Sequence, residues 1–178
     1  MCIAVSSFQM RTQKRIVAMQ LVSQSLFAVH YFLLGEYVGA GLNLIGSVRC
    51  CIYVFRGRKW ADSFIWVVMF TLASLSTYVL RFTVLGAEHT AFNFIIQSLP
   101  VLGMISNTFA QRMKEARLVR IFSLISMPLW LIYNAVIGSI GGCLTEIISI
   151  TSVIVGMIRL DRKKKQQSAN LGAVENNL

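Results

Sequence analysis

Six apolar stretches of membrane-spanning length follow one another along this chain: Ile16–Leu34, Tyr37–Phe55, Ser63–Leu80, Ala91–Ala110, Leu118–Val136 and Ile140–Ile158. Each holds about 18–20 residues, enough at ~1.5 Å rise per residue to cross a ~30 Å hydrocarbon core. A backbone surrounded by lipid must satisfy its own polar groups, so every span is expected to be an α-helix. The expected fold is therefore all-α, a polytopic transmembrane helix bundle with six spans. Composition closes the soluble alternative. Charged residues make up 13% of the 178 and hydrophobic residues 56%, whereas a soluble domain carries about 25% charge.

The connectors set the expected topology. Arg11, Lys14 and Arg15 precede the first span; Arg56, Arg58 and Lys59 follow the second; Arg112, Lys114, Arg117 and Arg120 separate the fourth from the fifth; Arg159, Arg162 and Lys163–Lys165 follow the sixth. The turns at Gly35-Glu36 and Gly138–Gly141 carry no Lys or Arg, and read as the tips of two helical hairpins. Of the 17 Lys and Arg, all but Arg49 and Arg81 fall on one side, which the positive-inside rule makes cytoplasmic, together with both ends of the chain. The net charge of +10 is thus a topology signal, and no basic face on any one element suggests nucleic acid. Residues 1–160 form the expected bundle, and 161–178 a polar, disordered cytoplasmic tail. The basic start of that tail suits a stop-transfer anchor, and can also hold anionic headgroups. No cleavable signal peptide is expected, because the first charges precede a full-length span. Cys2, Cys50, Cys51 and Cys143 show no metal or redox spacing and are expected to act as small hydrophobes.

Sliding the chain over itself by 103 residues superimposes two hairpins without a gap, Lys14–Arg56 on Arg117–Arg159. Leu21, Ser23, Leu26, Gly35, Gly39, Ile45 and Arg56 meet Leu124, Ser126, Leu129, Gly138, Gly142, Ile148 and Arg159. The first span is then the partner of the fifth and the second of the sixth, a parallel repeat of the kind found in some transporters, the SWEETs among them. In such a three-plus-one-plus-three plan the fourth span opens the second repeat, and its counterpart must precede Ile16. Only Ile3-Ala4-Val5-Ser6-Ser7-Phe8 matches the end of the fourth span, Met104-Ile105-Ser106-Asn107-Thr108-Phe109. The expectation is a seven-helix SWEET-like plan lacking its first helix in this chain.

His30-Tyr31-Phe32-Leu33-Leu34-Gly35, the run Trp130-Leu131-Ile132-Tyr133-Asn134-Ala135-Val136-Ile137-Gly138-Ser139-Ile140-Gly141-Gly142, and Leu99-Pro100-Val101 carry a family likeness. Through them the chain resembles the YgjV family of bacterial inner-membrane proteins, over roughly Ser7 to Arg159. The resemblance implies an inner-membrane location, one further N-terminal helix, and a layout similar to the SWEET, PQ-loop and PnuC proteins. It implies no particular cargo.

Two ionisable side chains lie well inside spans, Arg49 and Glu146. A charge at the bilayer centre costs about 2.5–3.5 kcal/mol, so such residues face the bundle interior and pair. Their levels differ by roughly 7–9 Å, which two long side chains can partly bridge. Arg49 can instead snorkel toward Arg56, and a substrate or proton-coupling role is open for both. Glu146 occupies the repeat position of Asn43, so the two are expected to face each other across a central axis. They are either an interhelical hydrogen-bonding device or part of a midplane binding site. His30, Trp130, Tyr133 and Asn134 sit near the outer ends of spans one and five, as interface anchors or as an outer gate and pocket wall. Pro100 and Pro128, both mid-span, make either static kinks or hinges.

No phosphate loop, HExxH or GxSxG is present, and the two histidines lie far apart, so no enzyme, cofactor or metal site is expected. Two functions remain. One is a small-solute permease or exporter working by alternating access. The other is a non-transporting membrane scaffold or sensor. The expected partners are the lipid bilayer, a small polar solute and a second copy of the chain, with no nucleic acid.

Overall fold

The computed structural model describes residues 12–113 and 115–175, with side chains described through Arg159 except that of Gln13. Six helices follow in order: α1 (Gln13–Leu33), α2 (Tyr37–Val54), α3 (Ile65–Thr83), α4 (Ala91–Arg112), α5 (Ala116–Val136) and α6 (Ile140–Glu175). There is no strand among the described residues. The six expected spans correspond one to one with these helices. The Ile3–Phe8 segment matched to the end of α4 lies outside the described residues, as do Cys2, Arg11 and Lys114.

Five helices are long and apolar enough to cross a bilayer, and α4 is the exception. Its polar side chains explain why. Gln97, Thr108 and Gln111 are buried, and Asn107 donates to Ser126 Oγ on α5 (2.8 Å). These groups face other helices, so α4 needs less apolar surface than a helix wrapped in lipid. Helix α6 continues beyond the last apolar span to Glu175, over a stretch whose Arg, Lys, Gln and Ala residues are good helix formers and which no proline interrupts.

The two hairpin tips are built alike. Gly35 and Gly138 are left-handed, with φ of 74° and 73°, a conformation glycine adopts without steric penalty. After α1, Glu36 N–H donates to Tyr31 C=O (2.9 Å) and Gly35 N–H to Phe32 C=O (3.1 Å). After α5, Ser139 N–H donates to Asn134 C=O (2.9 Å) and Gly138 N–H to Ala135 C=O (3.4 Å). Both are Schellman caps, which satisfy the last carbonyls and reverse the chain.

Helix α1 packs along α2, α5 packs along both α4 and α6, and α3 bridges α2 to α4. Helix α2 also meets α4, and α1 meets α5, so the two hairpins touch directly. The central apolar cluster draws Tyr31, Leu42, Met104, Trp130 and Tyr133 from four helices. Outward faces carry residues such as Leu33, Leu72, Ile95 and Ile140, each more than half exposed, as lipid-facing surface should be.

Candidate functional site

A cavity of about 100 Å³ lies between the two hairpins, lined from every helix except α3. On α1 the lining residues are Gln20, Ser23, Gln24, Phe27 and Tyr31. Their spacing of three or four places them on one face of the helix. Asn43 comes from α2, and Met104 and Asn107 from α4. Ser126, Met127 and Trp130 come from α5, and Thr145, Glu146 and Ser149 from α6. Four repeat-matched pairs therefore meet in one space: Ser23 with Ser126, Gln24 with Met127, Phe27 with Trp130, and Asn43 with Glu146. Asn43 is tied by Nδ2 to Gly39 C=O (2.9 Å). Among the described residues no hydrogen bond or ion pair reaches the half-buried Glu146 carboxyl.

Toward the hairpin tips the cavity is closed by a layer of polar bonds that obeys the repeat. Tyr31 Oη donates to Asn134 Oδ1, and these two are repeat equivalents, 103 residues apart. Beside them, His30 Nε2 lies 3.1 Å from Ser139 Oγ, and Tyr133 Oη donates to Glu36 Oε2 at 3.4 Å. His30 and Tyr133 are matched positions, as are Glu36 and Ser139. Each hairpin thus reaches from its first helix to the other's tip, which is the signature of a two-fold interface. Two matched glycines make room for the central bond. A Cβ on Gly39 would stand 3.0 Å from the Tyr31 ring, and one on Gly142 would stand 2.5 Å from Asn134 Cγ.

Toward the basic end the closure is asymmetric. Arg49 is 0% exposed and reaches across to α4, with its Nη2 left unpartnered. Its Nη1 donates to Met104 C=O (3.0 Å) and Thr108 Oγ1 (2.9 Å), and its Nε to Gln111 Oε1 (3.1 Å). Gln111 Nε2 in turn donates to Gln20 Oε1 on α1 (2.8 Å). This polar string ties α2, α4 and α1 together under the cavity. Farther out, Arg56 pairs with Asp62 (3.4 Å) and donates to Gln111 C=O (3.3 Å).

The structure brings Asn43, Glu146 and Trp130 into the cavity, and His30, Tyr133 and Asn134 into the layer above it. Interface anchoring does not describe the aromatic pair. Trp130 is 7% exposed and Tyr133 is 0% exposed, because α5 is packed between α4 and α6. The indole lies against Gly103, where a Cβ would come within 2.8 Å of the ring. The pairing of Arg49 with Glu146 is also absent among the described residues, since the guanidinium turns to α4. Pro100 is buried and Pro128 exposed, and both lie inside unbroken helices.

Tyr31, Phe27, Gln20 and Gln24 were not singled out from the sequence, although their stripe on α1 repeats every three or four residues. Tyr31 was hidden beside His30, the more conspicuous residue in that helix. Cys50, Cys51 and Cys143 are free thiols.

A family described as bacterial inner membrane protein, Imp-YgjV, matches residues 1–164. Among curated proteins, the Inner membrane protein YgjV of Escherichia coli (strain K12) is 27% identical over 164 residues, covering 92% of this chain and 81% of that protein. No solved structure matches the chain significantly.

Proposed function

The chain belongs to the YgjV family of bacterial inner-membrane proteins, and on that premise we propose that it is a permease moving a small polar solute by alternating access. The observation that carries this reading is the central cavity where repeat-matched side chains from two hairpins converge. Binding sites of repeat transporters lie at such an interface near the midplane. The layers on either side of the cavity suit gates. The tip-side layer would open by parting Tyr31 from Asn134, and the basic-side layer by parting α1 from the Arg49–Gln111 string.

In this reading the hairpin tips face outward and the basic connectors face the cytoplasm, with both ends of the chain inside. Pro100 and Pro128 deprive the Ile96 and Leu124 carbonyls of their usual helix partners, which supplies bending points beside the cavity. The protein acts as a carrier and catalyses no covalent step. The fold class alone is a weak warrant for transport, so the cavity bears the weight.

The test is flux. Purified protein in liposomes is screened against sugars, amino acids, nucleosides and small amines. Passage of one class, lost in Asn43→Ala, supports the permease. If no class moves, and cells carrying Asn43→Ala or Glu146→Gln behave as wild type, the scaffold or sensor role takes its place.

A further inference from the structure

The charge and walls of the cavity narrow the cargo. Among the described residues that line it, Glu146 is the one acidic side chain, none is Lys, Arg or His, and the other polar groups are neutral amides, hydroxyls and the Trp130 indole. Arg49 Nε and Nη1 donate to α4, its buried Nη2 makes no hydrogen bond, and no ion pair joins it to Glu146 among the described residues. A carboxylate in a membrane interior is costly without a counter-charge, and no ion pair supplies one to Glu146 among the described residues, so a bound cation would stabilise its ionised form.

Three aromatic rings complete the picture. Phe27 and Tyr31 have centroids 6.0 Å apart, and Tyr31 and Trp130 likewise 6.0 Å. They form a continuous wall, and the face of an aromatic ring attracts a cation. Aromatic rings are the usual means of holding a quaternary ammonium group, and an ionised carboxylate beside them adds a counter-charge. An anion would meet Glu146 unscreened, and a neutral sugar would leave its charge unbalanced. A cavity of about 100 Å³ admits only a compact cargo.

Building on the permease reading, we propose that the cargo is a small organic cation, its ammonium group held between Glu146 and the Phe27–Tyr31–Trp130 wall.

The experiment compares choline with 3,3-dimethyl-1-butanol, its neutral isostere, by calorimetry on the purified full-length protein. Choline should bind at least roughly tenfold more tightly than the isostere. Glu146→Gln should lower choline affinity by a similar factor, and Trp130→Leu and Phe27→Leu should weaken it separately. Equal binding of choline and the isostere overturns the proposal, as does full choline affinity in Glu146→Gln. Absence of choline binding to a wild-type protein that transports a sugar or amino acid in liposomes also overturns it, while leaving the permease standing. If no solute of any class is transported, both readings fall. A Glu146→Gln protein that binds choline normally but loses pH-driven flux would make Glu146 a proton carrier instead, and would equally overturn the cation assignment.

Discussion

The Tyr31 hydroxyl donates to the Asn134 side-chain carbonyl across the interface between the hairpins, and the two residues stand 103 positions apart, the offset of the internal repeat. Two equivalent places in two copies of one hairpin have become donor and acceptor of a single bond on the axis that relates them. The bond closes the cavity toward the hairpin tips, so its strength bears on both stability and access.

Removing it should cost little but measurably. Tyr31→Phe leaves the buried Asn134 oxygen without its donor, and should destabilise the protein by about 1–2 kcal/mol. Asn134→Leu should cost a comparable amount, and the double variant less than the sum of the two. Chemical denaturation in detergent across the four proteins gives the coupling, expected near ~0.6–1.7 kcal/mol. Strict additivity would mean that the bond contributes nothing.

A covalent bond at the same place should arrest transport. In a background with the native cysteines replaced, Tyr31→Cys with Asn134→Cys should be bridged by a short bifunctional methanethiosulfonate, which replaces the span of the tyrosine ring. The bridge should abolish whatever flux the double variant retains, with that flux returning after reduction. The same reagent should not lower the flux of either single variant below that variant's own untreated level by as much as it does in the double variant. Unimpeded flux through the cross-linked protein would show that these residues do not part during the cycle.

Arg49 should behave as a structural strut, with volume and reach mattering more than charge. Arg49→Ala removes its hydrogen bonds and leaves a hole, and should destabilise by about 2–5 kcal/mol. Arg49→Met keeps most of the volume and should be milder. Arg49→Lys should fall between, because one ammonium cannot span Met104 and Gln111, two turns apart on α4. Thermal unfolding in detergent orders the three variants; a Lys variant as stable as wild type would contradict the geometry.

Gly142 and Gly138 should respond to alanine for different reasons. At Gly142 the new methyl group would collide with Asn134 and with Ser139 Oγ, 2.7 Å away. Overpacking of this kind should cost about 1–3 kcal/mol. At Gly138 nothing lies within 4 Å, but φ is +73°, and alanine there should cost about 1 kcal/mol through the backbone alone. Asn134→Ala should leave the penalty at Gly138 unchanged and relieve part of the one at Gly142, the part due to Asn134 rather than Ser139. Unfolding curves of the paired variants separate the two mechanisms.

Orientation is checked by labelling. With native cysteines replaced, Glu36→Cys and Ser139→Cys should react with an impermeant maleimide in intact spheroplasts, and Arg58→Cys only after permeabilisation. The opposite pattern would invert the topology inferred from the basic connectors.

Part of the site was legible before any fold. Asn43 and Glu146 were paired by the repeat offset alone, since a parallel repeat places equivalent residues at equal depth, and both line the cavity. The glycine tips were legible for a local reason, because a left-handed cap needs only Gly at C′. Trp130 and Tyr133 were ambiguous, for an aromatic near a helix end suits headgroups and bundle interior equally. Arg49 was misdirected toward Glu146, because depth along a helix says nothing about the direction in which a side chain leaves it.

The order of residues by itself determined the six helices, the hairpin tips, the repeat and the side on which basic charge collects. These follow from span length, glycine at a cap, and the exclusion of charge from hydrocarbon, each a local or one-dimensional property. Which face of each helix meets protein and which meets lipid was decided only by the tertiary structure. Lipid tails and a protein interior are alike apolar, so hydropathy cannot distinguish them. That distinction needs the close approaches at Gly39, Gly103 and Gly142, which set the rotation of each helix and thereby brought Tyr31 to Asn134 and Arg49 to α4.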